Sequence, residues 1–481
     1  MKRIIQIGLC ILLIALPGAS AFAGRHQVRP AAAAGALEQI GHEPLMNRGM
    51  NAALAVRGDY AYVGSRTDGL HPNAGLMVVD ISDPAAPSVV HQIGPPAAGN
   101  IGETTREMRI WPEKELLIVL NLASNCSYLI HECSPTSATM DDVFRFFDIS
   151  GENAAAPKLV GEYVPSVNPH EFFLWDDPKR PGRALMYMST PGGGTQLLVT
   201  DISRAAEGEF EEIATWTTVI PEQGDNRLHS LSVSNDGTRG FIAYLQGGFF
   251  VIDTSQIAKG VPEPKIELVT PLQNRVFWEG PGAHSAVKLY GRPYVVVTDE
   301  VYGEIPVLLA GHGCPWGWMR VVDIRNPAAP KVVSEYTLPE NNDEFCASLT
   351  DNTPDRNTLA SYAAHNPTVT KNLVFVTWHA GGVQVVDLHD PAAPTQVAEF
   401  KPEPLPAVVT EDPVLSSGRD KVVMWSYPVI QDGLIYVVDV RNGLYILEYS
   451  GPYQNEVVGV DFLEGNSNLG DALKMEPVKK R

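Results

Sequence analysis

The sequence predicts an all-β fold, a seven-bladed β-propeller built from four-stranded antiparallel blades. Three observations predict it. One strand-and-turn unit recurs seven times. It is nearly intact at Met77 to Val89 (MVVDISDPAAPSV), Met319 to Val332 (MRVVDIRNPAAPKV) and Gln384 to Val397 (QVVDLHDPAAPTQV). Weaker copies stand at Phe144 to Val160, Leu197 to Ser203, Phe249 to Ser255 and Leu444 to Ser450. The copies lie roughly 45–75 residues apart, the period of a repeat architecture with one supersecondary unit per repeat. Each copy has room for two further strands upstream, and no long helical pattern interrupts them. An open β-solenoid needs shorter and more regular repeats.

Within a unit, the run of β-branched and aromatic residues suits a buried strand. The Asp that follows can accept from nearby backbone N–H groups and start a turn. Pro then ends the pairing, because it has no N–H to give. The segments after it (SVVHQI, KLVGEY, KVVSEY, TQVAEF) alternate in polarity, as a half-exposed outer strand does. Upstream, His229–Ser234 and Gly240–Tyr244 flank Asn235-Asp236-Gly237, a hairpin signal. His365–Thr370 and Leu373–Trp378 flank Lys371-Asn372 in the same way.

In chain order, residues 1–23 read as a secretory signal: Lys2 and Arg3, an apolar core from Ile4 to Leu16, then Ala21-Phe22-Ala23. The apolar core is too short to span a bilayer, and no other stretch could. The expected location is periplasmic or secreted. Residues 24–36 form a flexible lead-in, residues 37–463 the propeller, and residues 464–481 a mobile polar tail. Residues 37–41 resemble the outer strand of blade 1 and are expected to supply the fourth strand of blade 7; Val457–Phe462 competes for that place. The formal charge is −20, and removal of Lys2 and Arg3 with the signal leaves −22. That disfavours nucleic acid and anionic lipid as partners. The expected partner is a small-molecule substrate or another exported ligand. Four cysteines remain after cleavage, and in an exported chain two disulfides are expected, Cys126–Cys133 and Cys314–Cys346.

Aligning the first strand of each blade puts Asn51, Glu107, His170, His229, His284, His365 and Tyr427 in one register. The chain has 12 histidines, so four in one column of seven is not chance; the odds stay below about one in 10^3 after allowing for the choice of column. The first strand of a blade is innermost, so equivalent positions point toward one place on the axis. Imidazole ligates zinc, copper or iron, and a transition metal ion held by His170, His229, His284 and His365 is the functional reading. Glu107 and Glu171 could ligate or orient a histidine, as could Asn51 and Tyr427. The structural alternative is that each histidine bonds a backbone carbonyl of its neighbouring blade. Links between second and third strands return to the same mouth and carry further candidates, His312 and His379.

The VVDI-turn-Pro unit resembles the LVIVD repeat of exported β-propellers, over roughly residues 50–450. The resemblance implies the fold and carries no catalytic residues. A looser architectural likeness is to the selenium-binding protein (methanethiol oxidase) and carotenoid oxygenase propellers, which hold copper or iron on the axis with histidines from several blades. Two functions are therefore expected. One is a metalloprotein, as a metal-dependent oxidoreductase. The other is a non-catalytic propeller that recognises a protein or polysaccharide through its loop face. Gly192-Gly193-Gly194 lacks the Lys and helix of a phosphate loop, and there is no G-x-S-x-G elbow.

Overall fold

The computed structural model describes residues 35–66, 72–94, 104–122, 142–190, 194–220, 227–278, 280, 282–300, 313–348, 361–412, 416 and 420–478. The signal segment, most of the lead-in, Cys126, Cys133, His131 and His312 lie outside the described residues.

After an N-terminal strand β1 (Ala36–Glu43), the strands fall into seven antiparallel sheets. Blade 1 holds β2 (Asn51–Arg57), β3 (Tyr60–Ser65), β4 (Leu76–Asp80) and β5 (Ser88–Ile93). Blade 2 holds β6 (Thr104–Trp111), β7 (Leu116–Leu122), β8 (Val143–Asp148) and β9 (Lys158–Tyr163). Blade 3 holds β10 (Glu171–Asp176), β11 (Ala184–Ser189), β12 (Leu197–Asp201) and β13 (Glu211–Trp216). Blade 4 holds β14 (Ser230–Val233), β15 (Arg239–Ala243), β16 (Phe249–Asp253) and β17 (Glu267–Leu268). Blade 5 holds β18 (Ser285–Lys288), β19 (Tyr294–Thr298), β20 (Met319–Asp323) and β21 (Lys331–Tyr336). Blade 6 holds β22 (Pro367–Val369), β23 (Leu373–Thr377), β24 (Val383–Asp387) and β25 (Thr395–Phe400). Blade 7 is built from β26 (Val429–Gln431), β27 (Leu434–Asp439), β28 (Gly443–Ser450) and β29 (Phe462–Leu463), together with β1.

First strands of successive blades touch around the ring, β2 with β6, β6 with β10, and so on to β22. They line the axis. Apolar side chains fill the space between blades, with Trp111, Trp175, Trp378 and Trp425 fully buried. The repeated Asp acts as its residue type dictates. In six blades the third strand ends in Asp, and its carboxylate accepts from the backbone N–H two residues on: Asp80 from Ser82, Asp148 from Ser150, Asp201 from Ser203, Asp253 from Ser255, Asp323 from Arg325 and Asp387 from His389, at 2.7–2.9 Å. Short hydroxyl side chains tie neighbouring blades. Ser230 donates to the carbonyl of His284 at 2.6 Å, and Thr298 to the carbonyl of His365 at 2.5 Å. These bonds fix the heights at which the two histidines enter the channel.

The two candidate closing segments both join blade 7, at opposite edges. β1 pairs with β28 from Ala36↔Ser450 to Glu43↔Leu444 and forms the outer strand. Phe462–Leu463 pairs with the innermost strand β26 instead. The segment after it is not the mobile polar tail that composition suggests. Asn466, Ser467, Asn468 and Asp471 are buried. Backbone bonds join Asn466 and Asn468 to Leu174, and the Asn468 side chain accepts from the N–H of Asp176 and donates to its carbonyl, at 2.7 and 2.8 Å. Farther on, Asn235 donates to the carbonyls of Ala472 and Glu476, and Lys288 pairs with Glu476. The chain thus leaves blade 7 and is pinned in turn to blades 3, 4 and 5. Polar composition misled because Ser467, Asn468 and Asp471 bond backbone groups from buried positions, while the Asn466 amide has no partner among the described residues.

Cys314 and Cys346 form the expected disulfide, which ties the approach to β20 to the segment between blades 5 and 6. The proposed Cys126–Cys133 pair falls outside the described residues.

Candidate metal centre

Four histidines of the predicted column enter the channel from consecutive blades. Their rings form a continuous arc. Centroids are 4.5 Å apart for His170 and His229, 3.9 Å for His229 and His284, and 4.5 Å for His284 and His365. A fifth ring extends the arc: His379 stands 5.2 Å from His365. His379 sits in the tight Trp378–Gly382 link with φ +28°, an uncommon backbone state for a non-glycine residue and of the kind found at functional sites. Gly382 makes the link possible, since a Cβ there would lie 2.2 Å from the Phe400 carbonyl oxygen.

The arc does not close on one point, as the column alone suggested. Its far end closes on Glu300, a residue that sequence reasoning missed. Glu300 lies two residues beyond β19, the place His379 takes beyond β23, and no other blade puts an acid there. Its Oε2 is 3.0 Å from Nε2 of His284, and its Oε1 is 3.0 Å from Nε2 of His365 and 3.3 Å from Nε2 of His379. All four residues are buried.

These are hydrogen-bond distances without hydrogen bonds. Nε2 of His284, Nε2 of His365 and Oε1 of Glu300 have no partner of acceptable direction among the described residues. The tautomers explain why. Ser285 Oγ donates to Asn366 Oδ1 at 3.0 Å, so it must accept from His284 Nδ1, 2.8 Å away. His365 Nδ1 donates to the Trp425 carbonyl at 2.6 Å. Both rings therefore carry their proton on Nδ1 and present the Nε2 lone pair to the carboxylate. Burial keeps them neutral: it lowers His284 to about 4 and also lowers His365, against the pull of Glu300. Burial pushes the Glu300 carboxyl up, and attraction to His365 and His284 pulls it well below the usual carboxylate range, a pull that exists only with positive charge or a proton on the facing nitrogens. An ionised carboxylate 3.0 Å from two ring nitrogens calls for positive charge between them, carried by a proton on a ring or by a bound cation. Donation of the other ring nitrogen to a carbonyl or hydroxyl is the second-sphere pattern of histidine metal ligands.

The near end of the arc is different. Nε2 of His170 is 3.0 Å from Nε2 of His229 and also accepts from Arg106 Nη2 at 3.1 Å. Burial, then the Arg106 charge, hold His170 well below its ordinary value. Burial and the other imidazoles do the same to His229. Glu171 Oε1 lies 3.9 Å from Nδ1 of His229, and neither atom makes a hydrogen bond. Burial, aided by the charge of Glu107, raises Glu171 well above the carboxylate range. Three overlapping sets of close ligand atoms result: His170 with Glu171 and His229, His229 with His284 and Glu300, and Glu300 with His365 and His379.

Three column members are placed elsewhere. Asn51 accepts from Arg48 at 2.7 Å and donates to the Asp439 carbonyl, a tie between blades 1 and 7. Glu107 pairs with Arg109 at 2.8 Å. The cause is a β-bulge: Thr105 pairs with Asn121 and Glu107 with Leu120, which leaves Arg106 as the extra residue, and Arg106 rather than Glu107 reaches His170. The Tyr427 hydroxyl is 3.4 Å from Ser285 Oγ and so touches the site only through that residue. His312 lies outside the described residues.

Residues 48–93, which contain blade 1, match the LVIVD repeat family. No curated protein matches the chain significantly. Among solved structures, the Chaetomium thermophilum Sqt1 bound to the N-terminus of the ribosomal protein L10 is similar at 14% identity, with 84% of this chain and 89% of that chain covered and a TM-score of 0.44. Saccharomyces cerevisiae Sqt1 is similar at 8% identity, with 87% and 100% covered and a TM-score of 0.48. At these values neither likeness bears on function.

Proposed function

We propose that the protein is an exported metalloprotein with a divalent first-row transition ion held by Glu300, His284, His365 and His379. The lone pairs of His284 and His365, turned on an ionised and buried Glu300, carry this reading. The carboxylate favours iron, zinc or manganese over copper. His229 borders the open side of the set, where a substrate or water would complete the coordination. An ion with an open position can polarise a small substrate or, if redox-active, activate O₂, which makes a metal-dependent oxidoreductase the favoured class. The protein's own contribution is a dry, rigid cradle: neutral imidazoles, one carboxylate, and ring orientations locked by Ser285 and the Trp425 carbonyl. The Cys314–Cys346 disulfide supports export.

The test is metal content. Mature protein purified from an oxidising compartment should carry close to one equivalent of metal by inductively coupled plasma mass spectrometry, and Glu300→Gln should lose it while keeping its circular dichroism spectrum. Wild-type protein that takes up no iron, zinc, manganese or copper after dialysis against each would leave the non-catalytic binding propeller as the function.

A further inference from the structure

Six arginines are buried in the described ring: Arg48, Arg66, Arg106, Arg109, Arg320 and Arg441. A buried guanidinium is costly unless its charge and its donors are matched. Four are matched by carboxylates, Arg66 by Asp412, Arg109 by Glu107, Arg320 by Asp299 and Glu335, and Arg441 by Glu411. Arg48 spreads its donors over backbone carbonyls and Asn51. Arg106 has neither. Its single hydrogen bond goes to the neutral His170, its Nε–H has no acceptor, and no carboxylate lies within ion-pair distance among the described residues.

The placement of this unmatched cation is specific. The bulge in β6 turns Arg106 out of the strand ladder and into the channel. Its guanidinium rests over the Trp425 ring, 5.1 Å from the centroid. It stands at the near end of the histidine arc, beside His170 and His229, the two column histidines that are only partly buried, whereas Glu300, His284, His365 and His379 are enclosed. Arg106 thus stands at the less enclosed end of the arc.

We infer that Arg106 binds the carboxylate of a small organic acid whose other end reaches the metal, so that the substrate class of the proposed centre is a small carboxylic acid. The inference rests on the metal reading. A planar guanidinium with an unused N–H, resting over an indole ring, matches a carboxylate in geometry as well as charge. Among the described residues the cation is left unmatched, and the ligand supplies its counter-ion.

The experiment uses the mature full chain, with metal content measured on each sample before titration. Oxalate, acetate and inorganic phosphate are titrated calorimetrically into wild type, Arg106→Gln and Arg106→Lys. Oxalate should bind wild type saturably. Arg106→Gln should keep its metal and bind oxalate about 10-fold or more weakly, the effect of losing a charge-assisted contact. Arg106→Lys, which keeps the charge without the fork, should fall between. The ligand-free melting temperature of Arg106→Gln should not drop, since an unmatched charge has been removed. Metal-loaded Arg106→Gln binding oxalate as tightly as wild type would overturn the assignment, as would tighter binding of phosphate than of either carboxylate. Absence of metal from wild type overturns the metal reading itself, and it is seen before any ligand is added.

Discussion

Glu300 Oε1 stands 3.0 Å from Nε2 of His365, and neither atom has a well-directed hydrogen bond among the described residues. A cation between the two atoms, as proposed above, would satisfy both. Replacing the charge should therefore separate two effects. Glu300→Gln removes the ligand and the lone-pair conflict together. The metal-free variant should melt no lower than metal-free wild type. Added metal should raise the melting temperature of wild type, by the equivalent of about 2.7 kcal/mol at a concentration 100 times Kd, and leave the variant unmoved. A variant that still gains stability from metal would place the ion elsewhere.

Acid should destabilise the metal-free protein through the same histidines. His170, His229, His284 and His365 are all held below the ordinary 6.5 by burial. Below pH 6.5 the unfolded chain takes up protons that the folded chain refuses, so stability falls as pH drops from 6.5 toward the depressed folded values. The slope is at most about 1.4 kcal/mol per pH unit for each such ring. Urea midpoints of metal-free protein should decline between pH 7 and pH 5, and His229→Gln with His284→Gln should flatten the decline. An unchanged slope in that double variant would show that other groups govern it.

Blade 7 should depend on its N-terminal strand. Deletion of residues 35–43 removes the pairing with β28 and the stacking of His42 on Tyr445, 4.2 Å between centroids. It exposes the edge of β28. The deleted chain should melt well below the intact one and aggregate more readily, read by differential scanning calorimetry and light scattering. Equal melting temperatures would mean that β29 alone suffices to complete the ring.

The segment beneath the ring can be probed at Asn468. Its amide both accepts from and donates to the backbone of Asp176 while fully buried. Asn468→Ala leaves both groups unmatched and should cost about 1–3 kcal/mol. A denaturant midpoint shifted by less than a tenth of that amount would show that residues 464–476 contribute little to the folded state.

Much of the ring was readable in the chain because each blade repeats one local solution. The run of β-branched residues, the Asp that seeds the turn and the Pro that ends pairing each act within a few residues, and all six Asp turns form. The histidines were readable for the same reason: a repeat turns equivalent positions toward one channel. What escaped is whatever breaks the repeat. Glu300 sits after β19, at a position where the other blades offer no acid, and only its location in a link on the histidine side hinted at it. A bulge exchanged Arg106 for Glu107, and a one-residue slip of that kind leaves no mark in a strand pattern. The buried path of residues 464–476 was hidden because polar side chains that bond backbone under a ring look the same in sequence as polar side chains in water.

The pairing of Ala36 with Ser450 also sets an order of assembly. A chain made from its N-terminus produces β1 before any blade exists, yet its partner is among the last strands to appear. Closing that loop costs about 2 kcal/mol more than closing a single blade, because the ordering cost grows with the logarithm of length. Blades 1 to 6 can each form as their own strands emerge, while β1 waits as a free edge. The last blade is thus a latch that shuts after everything else is in place. β29 and the segment beyond it reach blades 3, 4 and 5 only afterwards, because they follow β28 in the chain.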